Sequence, residues 1–149
     1  MHIKTYLSVA LAVALYFLPH VNNKIIFIPA VLISTLIPEI ENPNFFKKGF
    51  KIFTTTKEDL PKNGILHTYT FCIMVSLIFA FFYPVLALPF FLGYSFHLLL
   101  DTFTPQGIRP FWPLKQRTSG KVAPGGKIEK TIFYIFIIFD IALLLKLFF

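Results

Sequence analysis

Two side chains that commonly bind metal ions interrupt a long apolar run in the second half of the sequence. His97 and Asp101 lie four residues apart within the segment YSFHLLLDTFTPQGIRPFWP, residues 94–113. On a helix this spacing places two residues one turn apart on the same face, about 5–6 Å between β-carbons, which suits two ligands of one ion. Because the neighbouring leucines suit lipid or a packed core, the polar pair must face something that repays its desolvation, either further ligands and a cation or a water-filled cleft.

The residues that follow predict that this helix ends just after the pair. Thr104, Pro105, Gln106 and Gly107 come directly after the apolar run. Proline cannot donate an amide hydrogen bond, and glycine adopts conformations that other residues avoid. We therefore expect the histidine and the aspartate at a helix end that solvent can reach.

Further candidate ligands lie where other apolar runs begin or end. His2 precedes the first run, Glu39 and Glu41 follow the second, and His67 opens the third. The glutamates are two residues apart after a proline, so in an extended stretch both carboxylates would point the same way. Histidine nitrogens and carboxylate oxygens are the ligands of zinc and manganese, and a catalytic site keeps one position open for water. One glutamate could instead act as a general base.

Composition indicates that these residues belong to a membrane protein. The chain has 149 residues, 56% hydrophobic and only 14% charged, with 20 phenylalanines, which favours a bilayer over a water-soluble core. We predict an all-α integral membrane protein, one transmembrane domain over residues 1–149 with a bundle of four to five helices. The expected spans are roughly 3–19, 24–38, 65–82, 84–101 and 131–149, and only Tyr83-Pro84 separates the third from the fourth, which predicts a tight hairpin. The first run lacks a signal-peptide cleavage site and is interpreted as a retained anchor.

The positions of the basic residues predict the orientation. With five spans and the N-terminus inside, all lysines and arginines except Lys24 and Lys146 lie on the cytoplasmic side, as the positive-inside rule requires. They form a pair of basic cytoplasmic loops. The first loop interleaves phenylalanine with lysine over residues 45–53, which is typical either of a headgroup-layer segment or of an ordinary basic loop. The candidate ligands then share the cytoplasmic face: His2, Glu39, Glu41, His67, His97 and Asp101.

The cysteine and the acidic residues outside the candidate ligand set are interpreted as structural or as ordinary loop residues. Cys72 is the only cysteine, which excludes an intrachain disulfide, and it is interpreted as a small buried hydrophobe. Asp140 lies inside the last run, where a charge is costly. It is expected to have a structural or supporting role, pairing with a neighbouring helix, capping a polar cleft or lining a path. The other acidic residues are interpreted as ordinary members of basic loops: Glu58, Asp59 and Glu129.

Three motifs of this sequence resemble those of the YdjM-type family of membrane-bound metal-dependent hydrolases. They are P-E-I-E-N after the second run, G-I-L-H-T at the start of the third, and G-Y-S-F-H-L-L-L-D-T-F-T-P-Q-G-I-R-P-F-W-P at the end of the fourth. The family motifs read P-D-I-D, H-R-G-x-T-H-S, and H-x-x-x-D followed by T-x-x-G and proline. The resemblance covers most of residues 37–113. It implies metal ligands at Glu39, Glu41, His67, His97 and Asp101, and His2 is similar to an early histidine of the family.

The sequence departs from the family motifs in two places. Both aspartates of P-D-I-D are glutamates here, which keeps the charge and lengthens the side chain by one methylene. Lys62 and Asn63 stand where the family has His-Arg, so one implied ligand is absent. Either the site holds fewer ions than the family pattern implies, or this chain has lost catalysis.

These observations predict a membrane-bound metal-dependent hydrolase at the cytoplasmic face of the inner membrane, with zinc or manganese as its ion. Such an ion would activate water and polarise the bond to be cleaved. The expected substrate is a phosphoester or another anionic, lipid-associated molecule, held by basic side chains: Lys62, Arg109, Lys115 and Arg117. The alternative is a non-catalytic membrane scaffold or partner-binding protein that retains a remnant of the site. The net charge of +7 does not require a nucleic-acid partner, and none is expected.

Overall fold

The computed structural model describes residues 1–41, 65–114 and 116–148, apart from the side chains of Glu41 and Phe148. These residues form five α-helices, which we label α1 (Ile3–Phe17), α2 (Lys24–Leu36), α3 (Tyr69–Phe82), α4 (Pro84–Thr102) and α5 (Lys127–Phe148). Short 3-10 turns lie at Leu18–His20, Ile37–Glu41 and Ile65–His67. No strand occurs in the described ranges, where the only β-type pairing is an isolated antiparallel bridge between Ile108 and Thr118.

The all-helical class predicted from the sequence is confirmed. Among the described residues, two segments are long and apolar enough to cross a membrane, Ile3–His20 and Pro84–Thr102, and the apolar helix Tyr69–Phe82 is shorter. They correspond to the first, fourth and third predicted spans. A total of four or five spans stays a prediction.

The predicted helical hairpin is present. Tyr83 alone separates α3 from α4, and Pro84 occupies the first position of α4. Proline is favoured there because its fixed backbone angle suits a helix and its missing amide would have had no intrahelical partner. The two helices pack against each other along their lengths.

Helix α4 occupies the centre of the fold. It packs against α1, α2 and α3, whereas α5 packs mainly on α1. The crossing of α2 and α4 is unusually close: a β-carbon placed on Gly93 would lie 2.2 Å from the carbonyl oxygen of Val31. Across this contact the Thr35 hydroxyl donates to the Gly93 carbonyl at 3.0 Å. Small and hydroxyl-bearing residues are typical of such crossings between membrane helices, and this one brings the end of α2 up to the polar face of α4.

The segment after α4 folds back over the end of that helix. The Thr104 carbonyl accepts hydrogen bonds from the amides of Gly107 at 3.0 Å and Gly120 at 2.9 Å. Gly107 has a φ of 58°, and a β-carbon there would lie 1.9 Å from the carbonyl oxygen of Thr118. The predicted helix stop is confirmed, and its glycine is required both for its backbone conformation and for close packing.

The start of the last helix differs from the prediction. The sequence placed residues up to 130 in a loop and began the span at residue 131, whereas α5 begins at Lys127. Two glycines end the loop, with Gly125 at a φ of 77°. Glu129 lies in the first helical turn, where a carboxylate is favoured by the helix dipole. It is therefore a helical residue and not a loop residue.

Candidate metal centre

Two of the predicted ligands lie on α4 and one lies just before α3. His97 and Asp101 are one helical turn apart on α4, and His67 ends the 3-10 turn that leads into α3. Two contacts hold this turn in place. The Tyr94 hydroxyl of α4 donates to the carbonyl of Leu66 at 2.5 Å. The Thr68 hydroxyl caps α3 by accepting from the amide of Phe71 at 3.2 Å, as residues at a helix N-cap commonly do.

These three side chains converge in the interior. Asp101 Oδ2 lies 3.3 Å from His97 Nε2 and 3.8 Å from His67 Nε2. One ligand atom from each residue lies within 4.8 Å of the others, and the ring centroids of the two histidines are 6.2 Å apart. The exposed fractions are 3% for His67, 1% for His97 and 0% for Asp101. Residues separated by about thirty positions in the sequence therefore share one buried site. The expectation that solvent can reach His97 and Asp101 at this helix end is wrong, because the segment after α4 folds back over that end.

Glu39 adds a second carboxylate to this site. Its Oε1 atom lies 3.7 Å from His97 Nε2, and the residue is buried. The extended stretch expected around Glu39 and Glu41 is wrong, because both belong to the 3-10 turn Ile37–Glu41. A 3-10 turn rotates by about 120° per residue, so the strand-like alternation on which that expectation rested does not apply here. The side chain of Glu41 lies outside the described residues.

Tyr6 of α1 contacts both predicted ligands on α4 and was not identified from the sequence. Its ring stacks on the imidazole of His97, with centroids 4.1 Å apart and planes 18° apart. Its hydroxyl donates a short hydrogen bond to Asp101 Oδ1, and the nitrogen of Met1 donates to the same hydroxyl at 3.0 Å. Tyr6 is 1% exposed. One residue therefore supports both the histidine and the aspartate from a third helix.

The spacing of the donor atoms suits a metal ion. Ligands bonded to one tetrahedral ion at ~2.1 Å lie ~3.4 Å from each other, close to the 3.3 and 3.8 Å separations around Asp101 Oδ2. Both ring nitrogens of His97 are buried and have no hydrogen-bond partner among the described residues. Buried polar atoms without partners are costly, and a cation would use such a nitrogen. The site therefore fits a divalent ion with nitrogen and carboxylate ligands.

His2 lies beside the loop that precedes α5, outside this three-residue group. It is the N-cap residue of α1, and its Nε2 atom lies 3.3 Å from where a β-carbon on Gly125 would be. The amide of His2 donates at 2.5 Å to Glu129. The role of the imidazole as a ligand stays a prediction.

Glu129 is a buried anchor, which corrects its interpretation as an ordinary residue of a basic loop. It is 1% exposed, and its carboxylate also accepts from the Thr5 hydroxyl at 2.9 Å and from the Gly125 amide at 2.6 Å. Burial raises the pKa of the Glu129 carboxyl, but the hydrogen bonds from the His2 and Gly125 amides and from Thr5 outweigh it, so the pKa lies below its usual range. The sequence carried no sign of this role, because two of the three donors, His2 and Thr5, lie more than 120 residues away in the sequence.

The four predicted substrate-binding residues have different surroundings. Arg109 is half-buried, and its Nε atom is buried with no hydrogen-bond partner in the part of the chain that the structure describes. The next residue, Pro110, accepts from the amide of Tyr69 at 2.8 Å, so this segment lies against the start of α3. Arg117 is exposed and donates through Nε and Nη2 to the carbonyl of Gln106. Lys62 and Lys115 lie outside the described residues.

Two residues interpreted as structural are buried as expected. Cys72 is fully buried in the packing between α3 and α4. Asp140 is also buried, and the Ser8 hydroxyl of α1 lies 3.3 Å from its Oδ2 atom. Of the roles considered for Asp140, pairing with a neighbouring helix is the one that this contact supports.

One comparison with known proteins found a match. A family model described as "YdjM inner membrane protein" matches residues 1–147. No curated protein and no solved structure matches the chain.

Proposed function

The chain belongs to the YdjM family of inner membrane proteins, and from its site we propose that it is a metal-dependent hydrolase. The observation that carries the proposal is the buried convergence of His67, His97 and Asp101. It is supported by the ring nitrogens of His97, which have no hydrogen-bond partner among the described residues. A binding site for a divalent ion explains why a mostly apolar molecule contains this group. Zinc suits the donor set best, and manganese is the alternative.

A bound ion of this kind supplies Lewis-acid chemistry, which polarises the bond to be cleaved and makes water a nucleophile near neutral pH. The chain supplies the rest. His67, His97 and Asp101 would hold the ion, and the helices around these buried side chains exclude bulk water. Glu39, with its carboxylate 3.7 Å from His97, is placed to accept a proton from the attacking water and to return it to the leaving oxygen. Glu41 remains a second candidate for the same role or for a ligand.

We propose that the substrate is anionic, such as the phosphoester of a membrane lipid. The support is Arg109, whose buried Nε donor has no hydrogen-bond partner among the described residues. The neighbouring residue Pro110 accepts from the amide of Tyr69, which follows His67 by two residues, so Arg109 lies near the site. Guanidinium groups bind phosphate through paired donors. Arg117 has less support, because its donors already bind the Gln106 carbonyl. Lys62 and Lys115 complete the proposed set.

We propose further that the site lies at the cytoplasmic face, with the N-terminus inside and up to five spans. The support is the distribution of lysine and arginine between the apolar runs. The contacts are consistent with it: the start of α1, the end of α4 and the start of α5 come together around Tyr6, Asp101 and Glu129.

A non-catalytic scaffold that retains a metal site is the second candidate. It is favoured by one observation, the replacement of the family's His-Arg by Lys62 and Asn63. The scaffold and the hydrolase differ in whether the bound ion supports turnover, so a hydrolysis assay on the metal-loaded protein separates them.

The test begins with metal content. The detergent-purified protein, loaded with zinc and then desalted, should retain a stoichiometric ion, and His97→Ala should lose it. His20→Ala is the matched control, because this histidine is exposed and belongs to the turn at the other end of α1. The loaded protein is then assayed for hydrolysis of phospholipids, with Glu39→Gln expected to retain the ion and lose turnover. Absence of a retained ion in the unmodified protein would overturn the metal site, and a retained ion without turnover on any phosphoester would favour the scaffold.

A further inference from the structure

Asp101 presents its two carboxylate oxygens to different partners. Oδ2 faces the site, 3.3 Å from His97 Nε2 and 3.8 Å from His67 Nε2. Oδ1 faces α1 and accepts the hydroxyl of Tyr6. From this division we propose that Tyr6 is a positioning residue, which restricts Asp101 to coordinating the ion through one oxygen. The inference rests on the proposed metal site and adds a function for α1.

The hydrogen-bond directions around Tyr6 support this role. The nitrogen of Met1 donates to the Tyr6 oxygen at 3.0 Å, so the hydroxyl hydrogen is left to point at Asp101. A carboxylate oxygen that accepts this bond is held in the plane that aims the other oxygen at the histidines. Partners of this kind fix the orientation of metal ligands and commonly change the affinity for the metal by 10–100-fold when removed.

The ring of Tyr6 restrains the second ligand. It stacks on His97 at 4.1 Å with an interplanar angle of 18°, which limits rotation of the imidazole about its side-chain bonds. Tyr6, His97 and Asp101 are all buried, so bulk water does not compete for the hydrogen bond to Asp101 or for the stack on His97. The hydroxyl and the ring therefore act on different ligands, and substitutions can separate the two contributions.

The experiment compares Tyr6→Phe, which keeps the stack and removes the hydroxyl, with Tyr6→Leu, which removes both. The control is Tyr69→Phe, because the Tyr69 hydroxyl bonds only to the carbonyl of Ser95 at 3.2 Å among the contacts described. Zinc affinity is measured by competition with a chelator in detergent. We expect Tyr6→Phe to bind zinc ~10–100-fold more weakly, Tyr6→Leu to bind more weakly still, and Tyr69→Phe to bind as the unmodified protein does.

A spectroscopic measurement tests the single-oxygen coordination directly. Cobalt(II) in place of zinc gives strong visible absorption when four-coordinate and weak absorption at higher coordination number. The unmodified protein should show the strong bands, and Tyr6→Phe, in which Oδ1 of Asp101 no longer accepts the Tyr6 hydroxyl, should show weaker ones. The measurement on the unmodified protein needs no variant, so it tests the inference even if Tyr6→Phe fails to fold.

The outcomes separate this inference from the proposed function. An unmodified protein that binds neither zinc nor cobalt would overturn the metal site itself. If the unmodified protein binds both ions but Tyr6→Phe has the same affinity and the same cobalt spectrum, the metal site stands and the role of Tyr6 is wrong. Weak cobalt bands in the unmodified protein would also overturn the single-oxygen role.

Discussion

Asp101 and Glu129 are two carboxylates that are almost completely buried and that both contact the first turns of α1, yet their partners differ in kind. Glu129 accepts hydrogen bonds from the amides of His2 and Gly125 and from the Thr5 hydroxyl. Asp101 accepts the hydroxyl of Tyr6 through Oδ1, and its Oδ2 lies near the imidazoles of His97 and His67. The chain itself supplies the donors that compensate the charge of Glu129. Under the proposed function, a bound cation would compensate the group around Asp101.

The difference shows how a buried carboxylate can be assigned a role. Burial alone does not distinguish the two residues, and neither does their position near a helix end. Their partners do. N–H and O–H donors around the two oxygens of Glu129 indicate a structural anchor. The ring nitrogens of His97, which have no hydrogen-bond partner among the described residues, favour a ligand site beside Asp101. Substitutions that remove each charge while keeping the side-chain shape test this distinction.

The largest expected effect is the loss of metal from Asp101→Asn. The amide has nearly the same shape but no charge, so zinc affinity should fall by more than about 100-fold, beyond the range expected for a supporting residue. Glu129→Gln is the matched substitution and should bind zinc within about threefold of the unmodified protein. Chelator competition in detergent measures both. Equal losses in the two variants would show that the two carboxylates belong to one site and would break the distinction.

Much of this arrangement could be predicted from local patterns in the sequence. The four-residue spacing of His97 and Asp101, the Tyr83-Pro84 division and the stop at Gly107 each depend on a few adjacent residues. They were recovered because helix periodicity, proline and glycine act over a single turn. The sequence also predicted that Glu39 lies near His97. It did not predict the local conformation of Glu39, since a proline-containing stretch can be extended or can form a 3-10 turn.

The parts that sequence reasoning missed depend on contacts between distant residues. Tyr6 reaches Asp101 across 95 positions, and Glu129 reaches the His2 amide across 127. A tyrosine in an apolar run is compatible with a core, with an interface or with a site, and nothing in its neighbours separates these roles. Only the packing of α1 against α4 and α5 assigns them.

A second, smaller effect should appear in stability when Glu129 is truncated. Glu129→Ala leaves the buried Thr5 hydroxyl and the part-buried amides of His2 and Gly125 without their acceptor, and a buried donor that loses its partner costs about 1–3 kcal/mol. The variant should therefore unfold at a lower temperature in detergent. The measurement is made with chelator present, so that metal binding does not contribute to stability. Comparison with Glu129→Gln separates the loss of charge from the loss of the acceptor. Unchanged stability in Glu129→Ala would contradict its role as an anchor.

The same carboxylate predicts the sign of a pH dependence. The pKa of Glu129 is lowered in the folded protein, so ionised Glu129 contributes stability above its unfolded pKa, and this contribution is lost as the pH falls through the folded value. Thermal unfolding of the metal-free protein across the acid range should show a steeper loss of stability for the unmodified protein than for Glu129→Gln. Parallel pH profiles would show that the ionised group contributes nothing.

The smallest expected effect belongs to Asp140, which tests whether a third buried carboxylate follows the same reasoning. Its described contact is the Ser8 hydroxyl at 3.3 Å, and hydrogen bonds between membrane helices contribute only about 0.6 kcal/mol on average. Asp140→Asn keeps an acceptor for Ser8 and removes a charge that is costly in an apolar helix, so stability should change by less than about 1 kcal/mol and zinc affinity should not change. Ser8→Ala, which removes the same contact from the other side, should have an effect of similar size. If Asp140→Asn lost as much zinc affinity as Asp101→Asn, metal binding would also depend on the contact between α1 and α5. The number of donors around a carboxylate would then not be enough to predict its role in this protein.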